Sequence, residues 1–269
     1  MCAVTQHLLL GGECTATQLS ELGVRRGGVL LVHASMRSAG GDTGSMTGAL
    51  RRALGPEGTL VVPAFTTENS DTSRSYLDRV RGLSDEARAE LRASMPAFDP
   101  AASPAPTMGA LAETVRLTPG ALRSTHPQTS FAALGPAAAA LLAGHSQDCH
   151  LGEESPLARL YEADAQVLLL GTGFDRCTAF HLAEYRRPDP PRRRYRCVVA
   201  SEDGRRWWEY EDVALDDSDF APLGEDFARV RPRAVSTGRV RSARSHLFRL
   251  RAAVDFAEEW LGLRRSEGR

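Results

Sequence analysis

His181 and Glu184 stand three positions apart in CTAFHLAEYR (177–186), just after an apolar run that ends in glycines. On a helix this spacing puts both side chains on one face, so the carboxylate can hold the imidazole in one tautomer. The second ring nitrogen can then accept a proton near neutral pH, which is the work of a general base. Spacing alone leaves another reading open: a surface helix that carries one residue of each kind.

Two further stretches hold reactive side chains. VLLVHASMRSAGGDTG (29–44) runs from apolar residues into small and hydroxyl residues, with Arg37 close by. That pattern places backbone amides, Ser35 and Ser38 at the carboxyl end of a sheet, where ligands of open α/β folds bind. It reads equally as a plain turn. In RSTHPQTSFAALG (123–135), Pro127 pushes His126 out of helical conformation, leaving a ligand contact or a packed loop histidine as its roles. GTGFDR (171–176) has Arg176 where a dinucleotide fingerprint needs glycine or alanine, so a nicotinamide site is rejected. A P-loop is excluded as well, because its lysine is missing: all 33 basic residues are arginines.

Acidic residues cluster twice. Glu68 and Asp71 follow an apolar segment, and Glu209, Glu211 and Asp212 lie in WWEYEDVALDDSDF (207–220) beside two tryptophans. Carboxylates with aromatic walls favour amines, although a solvated charged loop is the commoner explanation. PRRRYR (191–196) is the basic counterpart, suited to a cofactor's phosphates or to solvent.

The elements that must position these groups alternate. VLLVHAS (29–35), TLVVPAF (59–65) and QVLLLG (166–171) are near-continuous apolar runs, as expected of strands buried on both faces. Helices are predicted from Thr15 or Thr17 to Leu22, over 45–54 with Ser45 or Thr47 as cap, after Ser84, over 108–117, and over 155–164 with Ser155 as cap and Pro156 at the first position. FDPAASPAPT (98–107) is too proline-rich for regular structure. Segments 192–200 and 207–213 read as later strands, and 245–262 as an amphipathic terminal helix. Strand–helix–strand alternation implies an α/β fold with a central, mainly parallel sheet flanked by helices, as one domain over 1–269.

Composition is that of an ordinary globular protein, 42% hydrophobic and 25% charged. A net charge of −1 gives no bulk reason to expect nucleic acid or a membrane surface. The five cysteines, Cys2 among them, are odd in number and form no CxxC, so neither a disulfide framework nor a zinc ribbon is expected. MCAVTQHLLLGGEC at the start has no basic leader, and no apolar run reaches the ~20 residues that span a bilayer, so a cytoplasmic location is expected.

GGVLLVHASMRSAGG, ALGPEGTLVVPAFT, FDPAASPAPTMGALAE, RSTHPQTSFAALG, SPLARLYEADAQVLLLGTG and TAFHLAE occur in this order between about Gly27 and Glu184. Together they resemble the aminoglycoside 3-N-acetyltransferase family, the antibiotic N-acetyltransferases that lack the GNAT fold. Past Cys197 the likeness thins to WWEYED. Ala34 and Met36 stand where many members have Ser and Leu. The resemblance implies acetyl transfer from acetyl-CoA to an amine of an aminoglycoside or another polyamine, typically the 3-amino group of a 2-deoxystreptamine ring. By motif position it implies His181 as the catalytic histidine, with Glu184 and Thr178 beside it. His33, Ser35, Met36, Arg37 and Ser38, with Ser124, His126 and Ser130, would line the coenzyme side. Glu68, Asn69, Asp71, Glu209, Glu211 and Asp212 would face the amine. No metal, nucleic acid or membrane partner is implied, and a monomer or homodimer is expected.

The chemistry suits those residues. An aminoglycoside amine arrives largely protonated, only its neutral form attacks a thioester, and an imidazole of pKa near ~6.5 can take that proton. Cys177 beside Thr178 keeps two roles open, thiol nucleophile or small buried hydrophobe. Three other functions compete: a biosynthetic N-acyltransferase acting on a non-aminoglycoside amine, a non-catalytic module that sequesters cationic antibiotics, and a metallohydrolase built on His33, His126 and His181.

Overall fold

The alternation in the buried strands decides the architecture. Leu31, Val61, Val167 and Leu169 point into one apolar cluster, while Leu30, Val32, Leu60, Val62, Leu168 and Leu170 point into a second on the opposite side. A sheet covered on both faces follows, and each fully buried leucine contributes about 1.5–3 kcal/mol of apolar burial. The structure is a computed structural model describing residues 13–202 and 204–265. Cys2 and most of the N-terminal stretch read above lie outside those residues.

The sheet is built from β1 (Val29–Ala34), β2 (Thr59–Pro63), β3 (Leu122–Arg123), β4 (Phe131–Leu134), β5 (Gln166–Leu170), β8 (Val235–Val240) and β9 (Ala243–Arg249), in the order β3-β4-β2-β1-β5-β9-β8. β1 pairs in parallel with both β2 and β5, which forms the expected parallel centre. Antiparallel strands extend it on both flanks. A helix over 13–22 (α1), α3 (Thr43–Leu54) and α6 (Ala110–Leu117) cover one face. α7 (Ala138–Leu142), α8 (Pro156–Glu162), α9 (Phe180–Arg186), α10 (Phe220–Val230) and α11 (Leu250–Arg264) cover the other. Between β1 and α3 lies the four-residue α2 (Met36–Ala39). None of the described helices is long and apolar enough to cross a membrane.

Several boundaries move. α3 starts at Thr43 because Asp42, not Ser45 or Thr47, caps it: the Asp42 carboxylate accepts from the Ser45 N–H at 2.6 Å. Residues 245–249 finish strand β9 instead of opening the terminal helix, which begins at Leu250. Its partner β8 has a mostly polar sequence because it is the sheet's edge. Ser84 and Ser155 cap α5 (Asp85–Ser94) and α8 as expected.

Segments 192–200 and 207–213 are strands, as expected, so the first acids of 207–220 sit on a strand and not in a solvated loop. β6 (Arg192–Ser201) and β7 (Gly204–Val213) form a separate antiparallel hairpin, pairing Tyr195 with Tyr210 and Arg193 with Asp212. The excursion between β2 and β3, which carries α4 (Arg74–Arg79) and α5, lies against it. Tyr76, Val80, Met95 and Val198 form their shared apolar patch.

Candidate active site

β1 and β5 end side by side, with His33 opposite Leu169 and Ala34 opposite Leu170. The chain then leaves β5 through Gly171, whose φ is +67°. A Cβ there would stand 2.7 Å from Ser38 Cβ, so left-handed backbone and close approach both require glycine. This turn sets the 171–179 segment beside the 33–38 turn at the carboxyl edge of the parallel strands and delivers α9 to that edge.

α9 has seven residues and no side-chain N-cap bond, so tertiary contacts must fix its orientation. Glu184, 1% exposed, accepts from His181 Nδ1 at 2.6 Å. A carboxylate only accepts, which assigns the imidazole proton to Nδ1 and leaves Nε2 as the basic nitrogen. Behind Glu184, Arg265 Nη1 donates to Oε1 at 2.5 Å and the Asp216 N–H donates to the same oxygen at 3.1 Å. Arg265 is itself gripped by Asp219 at 2.8 and 2.6 Å. Burial works against the Arg265 charge, but its bonds to Asp219 and Glu184 outweigh that and raise its pKa above the usual guanidinium value. The ring of Phe220 lies 4.7 Å from that of His181, brought there by α10, which packs tightly at Gly224 against Phe174. An aspartate–arginine–glutamate–histidine series results, ending at one imidazole nitrogen.

His181 opens onto a cavity of about 630 Å³. His33, Ser35 and Arg37 line one part of it; Thr178, Asp217 and Phe220 lie on its wall near His181. Burial, reinforced by the neighbouring His181, lowers the His33 pKa to about 3, so this ring is neutral. Its Nε2 lies 3.3 Å from the Thr178 hydroxyl. Met36 packs into the core, and the Ser38 side chain meets the Ser35 hydroxyl at 3.0 Å, so these two shape the turn without lining the cavity. Cys177 is fully buried, and burial pushes its thiol up to about 12, which leaves it the small hydrophobe and not the nucleophile.

Ser124, His126 and Ser130, expected on the coenzyme side, are buried and turned to scaffold partners. The Ser124 hydroxyl meets His145 Nδ1 at 3.0 Å, and Ser130 donates to the Ala64 carbonyl at 2.8 Å. His126 Nδ1 accepts from the Gln128 and Thr129 N–H groups, and its ring stacks between His145 and His150. His126 therefore does not join His33 and His181 at the cavity, and among the described residues no group of His, Cys, Asp and Glu is arranged to hold a metal ion.

The acids divide in the same way. Glu209 pairs with Arg194 and Glu211 with Arg192, diagonally across the exposed face of the hairpin. Asp212 faces inward, 3% exposed, and binds His150 and Tyr185. Asp71 is taken by Arg196 and Arg92 beneath Trp207. Asn69 is buried and donates to the Pro127 carbonyl at 2.9 Å. Glu68 alone of the six lines an open hollow, about 270 Å³ in volume, together with Asp99 and Pro104. The acids that line the main cavity are Asp217, one of the acids that crowd 207–220 in the sequence, and Asp175, which no sequence pattern marks out. The same holds for Arg265, whose contact with Glu184 spans 81 residues and leaves no local signal.

Residues 31–262 match the family model for aminoglycoside 3-N-acetyltransferases. The chain belongs to this family. It is 37% identical over 246 residues to the aminoglycoside N(3')-acetyltransferase-like protein YokD of Bacillus subtilis, covering 90% of this chain and 89% of that one. The crystal structure of YokD superposes with a TM-score of 0.88 over 96% of this chain and 95% of the other, at 34% identity. Aminoglycoside N(3)-acetyltransferase VII of Streptomyces paromomycinus is 36% identical over 263 residues, 91% of this chain and 89% of that enzyme. AAC-IIIb, solved as a binary complex with CoASH, superposes with a TM-score of 0.78 at 32% identity, over 92% and 94% of the two chains. The expected acetyltransferase family and α/β fold are both met, and membership extends past Glu184, where the motif likeness had thinned.

Proposed function

We propose that this acetyltransferase moves the acetyl group of acetyl-CoA directly onto the 3-amino group of a 2-deoxystreptamine aminoglycoside, inactivating the antibiotic, with His181 Nε2 as general base. The observation that carries the reading is the hydrogen-bonded series Asp219–Arg265–Glu184–His181, with Glu184 buried at its centre, which ends at the free imidazole nitrogen on a large cavity. AAC-IIIb's complex with CoASH supports acetyl-CoA as the co-substrate.

Coenzyme binds along the 33–38 turn, where His33 and Ser35 line the cavity and Arg37 supplies positive charge for phosphates. Asp217 and Asp175 attract the ammonium groups of the antibiotic. His181 Nε2 takes a proton from the attacking amine as the N–C bond forms. Collapse of the tetrahedral intermediate breaks the C–S bond, and the imidazolium returns the proton to the departing thiolate. Developing charge on the thioester oxygen needs a preorganised donor, and the Thr178 hydroxyl, at the cavity just before α9, is the side chain offered for it. Burial of the neighbouring His33 in its neutral form keeps a competing positive charge away from the imidazolium.

Mixing the protein with acetyl-CoA and a panel of aminoglycosides should release free CoA thiol, and NMR of the product should place the acetyl group on the 3-nitrogen. Absence of thiol release across the panel contradicts the reading. Faster turnover, per KM, of a non-aminoglycoside amine transfers the same chemistry to a biosynthetic role.

A further inference from the structure

α9 is held at two points, and the proposed mechanism uses one of them. Glu184 ties the helix to Arg265. Tyr185, the next residue, ties it to a different part of the molecule. Its hydroxyl donates to Asp212 Oδ2 at 2.5 Å and accepts from the Leu151 N–H at 3.3 Å. Tyr185 lies four positions after His181, so the two side chains share a face of the helix one turn apart. Any rotation of α9 that releases Tyr185 also turns His181.

Asp212 is a buried carboxylate, and among the described residues its hydrogen-bond partners are His150, Tyr185 and the Val213 N–H, not an arginine. Its Oδ2 also accepts from the His150 N–H at 2.8 Å and from His150 Nδ1 at 2.9 Å, and its Oδ1 accepts from the Val213 N–H at 2.7 Å. Burial alone would raise its pKa, but the hydrogen bonds from His150 and Tyr185 outweigh it and hold the group ionised. On its far side, His150 Nε2 lies 3.0 Å from the Tyr210 hydroxyl, and its ring centroid lies 4.2 Å from that of Tyr195, tilted by 49°. Asp212 thereby joins the hairpin, the loop before α8 and the catalytic helix at one carboxylate. The Tyr185 ring packs closely on the Gly152 backbone, where an added Cβ would stand 2.3 Å from its Cδ1. Gly152 is not among the positive-φ glycines, so packing against Tyr185, and not backbone strain, is what excludes a side chain there.

We propose that Tyr185, Asp212 and His150 form a positioning unit that fixes the orientation of α9 and with it the aim of His181 Nε2 into the cavity. The proposal rests on the reading of His181 as the base. None of the three residues lines the cavity, so they act through the helix and not on substrate.

Tyr185→Phe removes only the hydroxyl, and Gly152→Ala leaves the hydroxyl but displaces the ring. Each should lower kcat by about five- to twentyfold, since small misplacements of a base are costly, with KM for acetyl-CoA unchanged to within about twofold. The downfield imidazole N–H resonance of His181, identified by its loss in His181→Ala, should shift or broaden in both. In the double variant the two losses should combine to less than their product, because both act through one ring. A wild-type kcat in Tyr185→Phe overturns the proposal even if its Tm falls, as does an unmoved resonance. If the wild-type protein acetylates no amine, the functional reading fails separately, and the resonance still reports whether Tyr185 aims His181.

Discussion

Two histidine–carboxylate pairs stand a short way apart in this molecule, and their surroundings give them opposite tasks. His181–Glu184 is closed at 2.6 Å, backed by Arg265, and opens onto the cavity. His150–Asp212 is closed at 2.9 Å, backed by Tyr185 and a strand, and does not line that cavity. Burial, acting against the help of Asp212, lowers the His150 pKa, so the inner pair holds a neutral ring and an anion. In the proposed mechanism the outer pair meets substrate through its second nitrogen, whereas the inner pair, closed by Tyr210, serves as a joint.

The comparison can be broken at the inner pair first. Asp212→Ala would leave the His150 and Tyr185 donors buried without an acceptor, and should destabilise the fold by about 3–5 kcal/mol in urea titration. A loss below about 1 kcal/mol would mean that the joint is dispensable. At the outer pair, Glu184→Gln keeps an acceptor for Arg265 and the Asp216 N–H, so it should cost less stability than Asp212→Ala while kcat falls by about 10–100-fold, the range expected when a partner that orients a histidine is weakened. Equal losses of stability and activity there would erase the distinction between the pairs.

Acid gives a third, smaller effect. His33 and His145 have folded pKa values lowered to about 3 and about 4 by burial, and burial also lowers His126 and His150. The unfolded chain binds protons at these sites near ~6.5 while the folded chain does not, so stability rises with pH between about 4 and 6.5. Asp212, lowered in the folded state, adds loss in the same direction further down. Tm should therefore fall on acidification below about 6.5 and be insensitive to these groups above it; a flat Tm from pH 4 to 7 would contradict the buried neutral histidines. The smallest effect is expected at the hairpin surface. Glu211→Gln breaks an exposed pair with Arg192 and should change stability by less than about 1 kcal/mol and turnover hardly at all. A large rise in KM for the antibiotic would return Glu211 to the substrate site.

Much of the outer pair was legible in the sequence. The i, i+3 spacing, the apolar strand and the glycine turn all act locally, and the structure keeps them. The inner pair was not, because His150 and Asp212 meet across 62 residues. Part of it could have been read: in WWEYEDV the period of two puts Glu209 and Glu211 on one face and Tyr210 and Asp212 on the other. The strand over 207–213 was expected, but its alternation was not applied to the acids, so three of them were assigned one role although the strand divides them. The central strands were equally plain, whereas edge strand β8 was missed because a mostly solvated VSTGRV has no apolar run to announce it. His126 and Ser124 show the limit of motif position: RSTHPQTS is matched, yet its side chains face the scaffold.

One paired assay tests the division of labour most directly. His181→Asn and His150→Asn are compared for thiol release with acetyl-CoA and an aminoglycoside, and for Tm. The account predicts that His181→Asn loses at least about a hundredfold in kcat with Tm and acetyl-CoA affinity retained, while His150→Asn loses mainly Tm and keeps more of its turnover per folded molecule. Turnover in His181→Asn within a few-fold of wild type would contradict it.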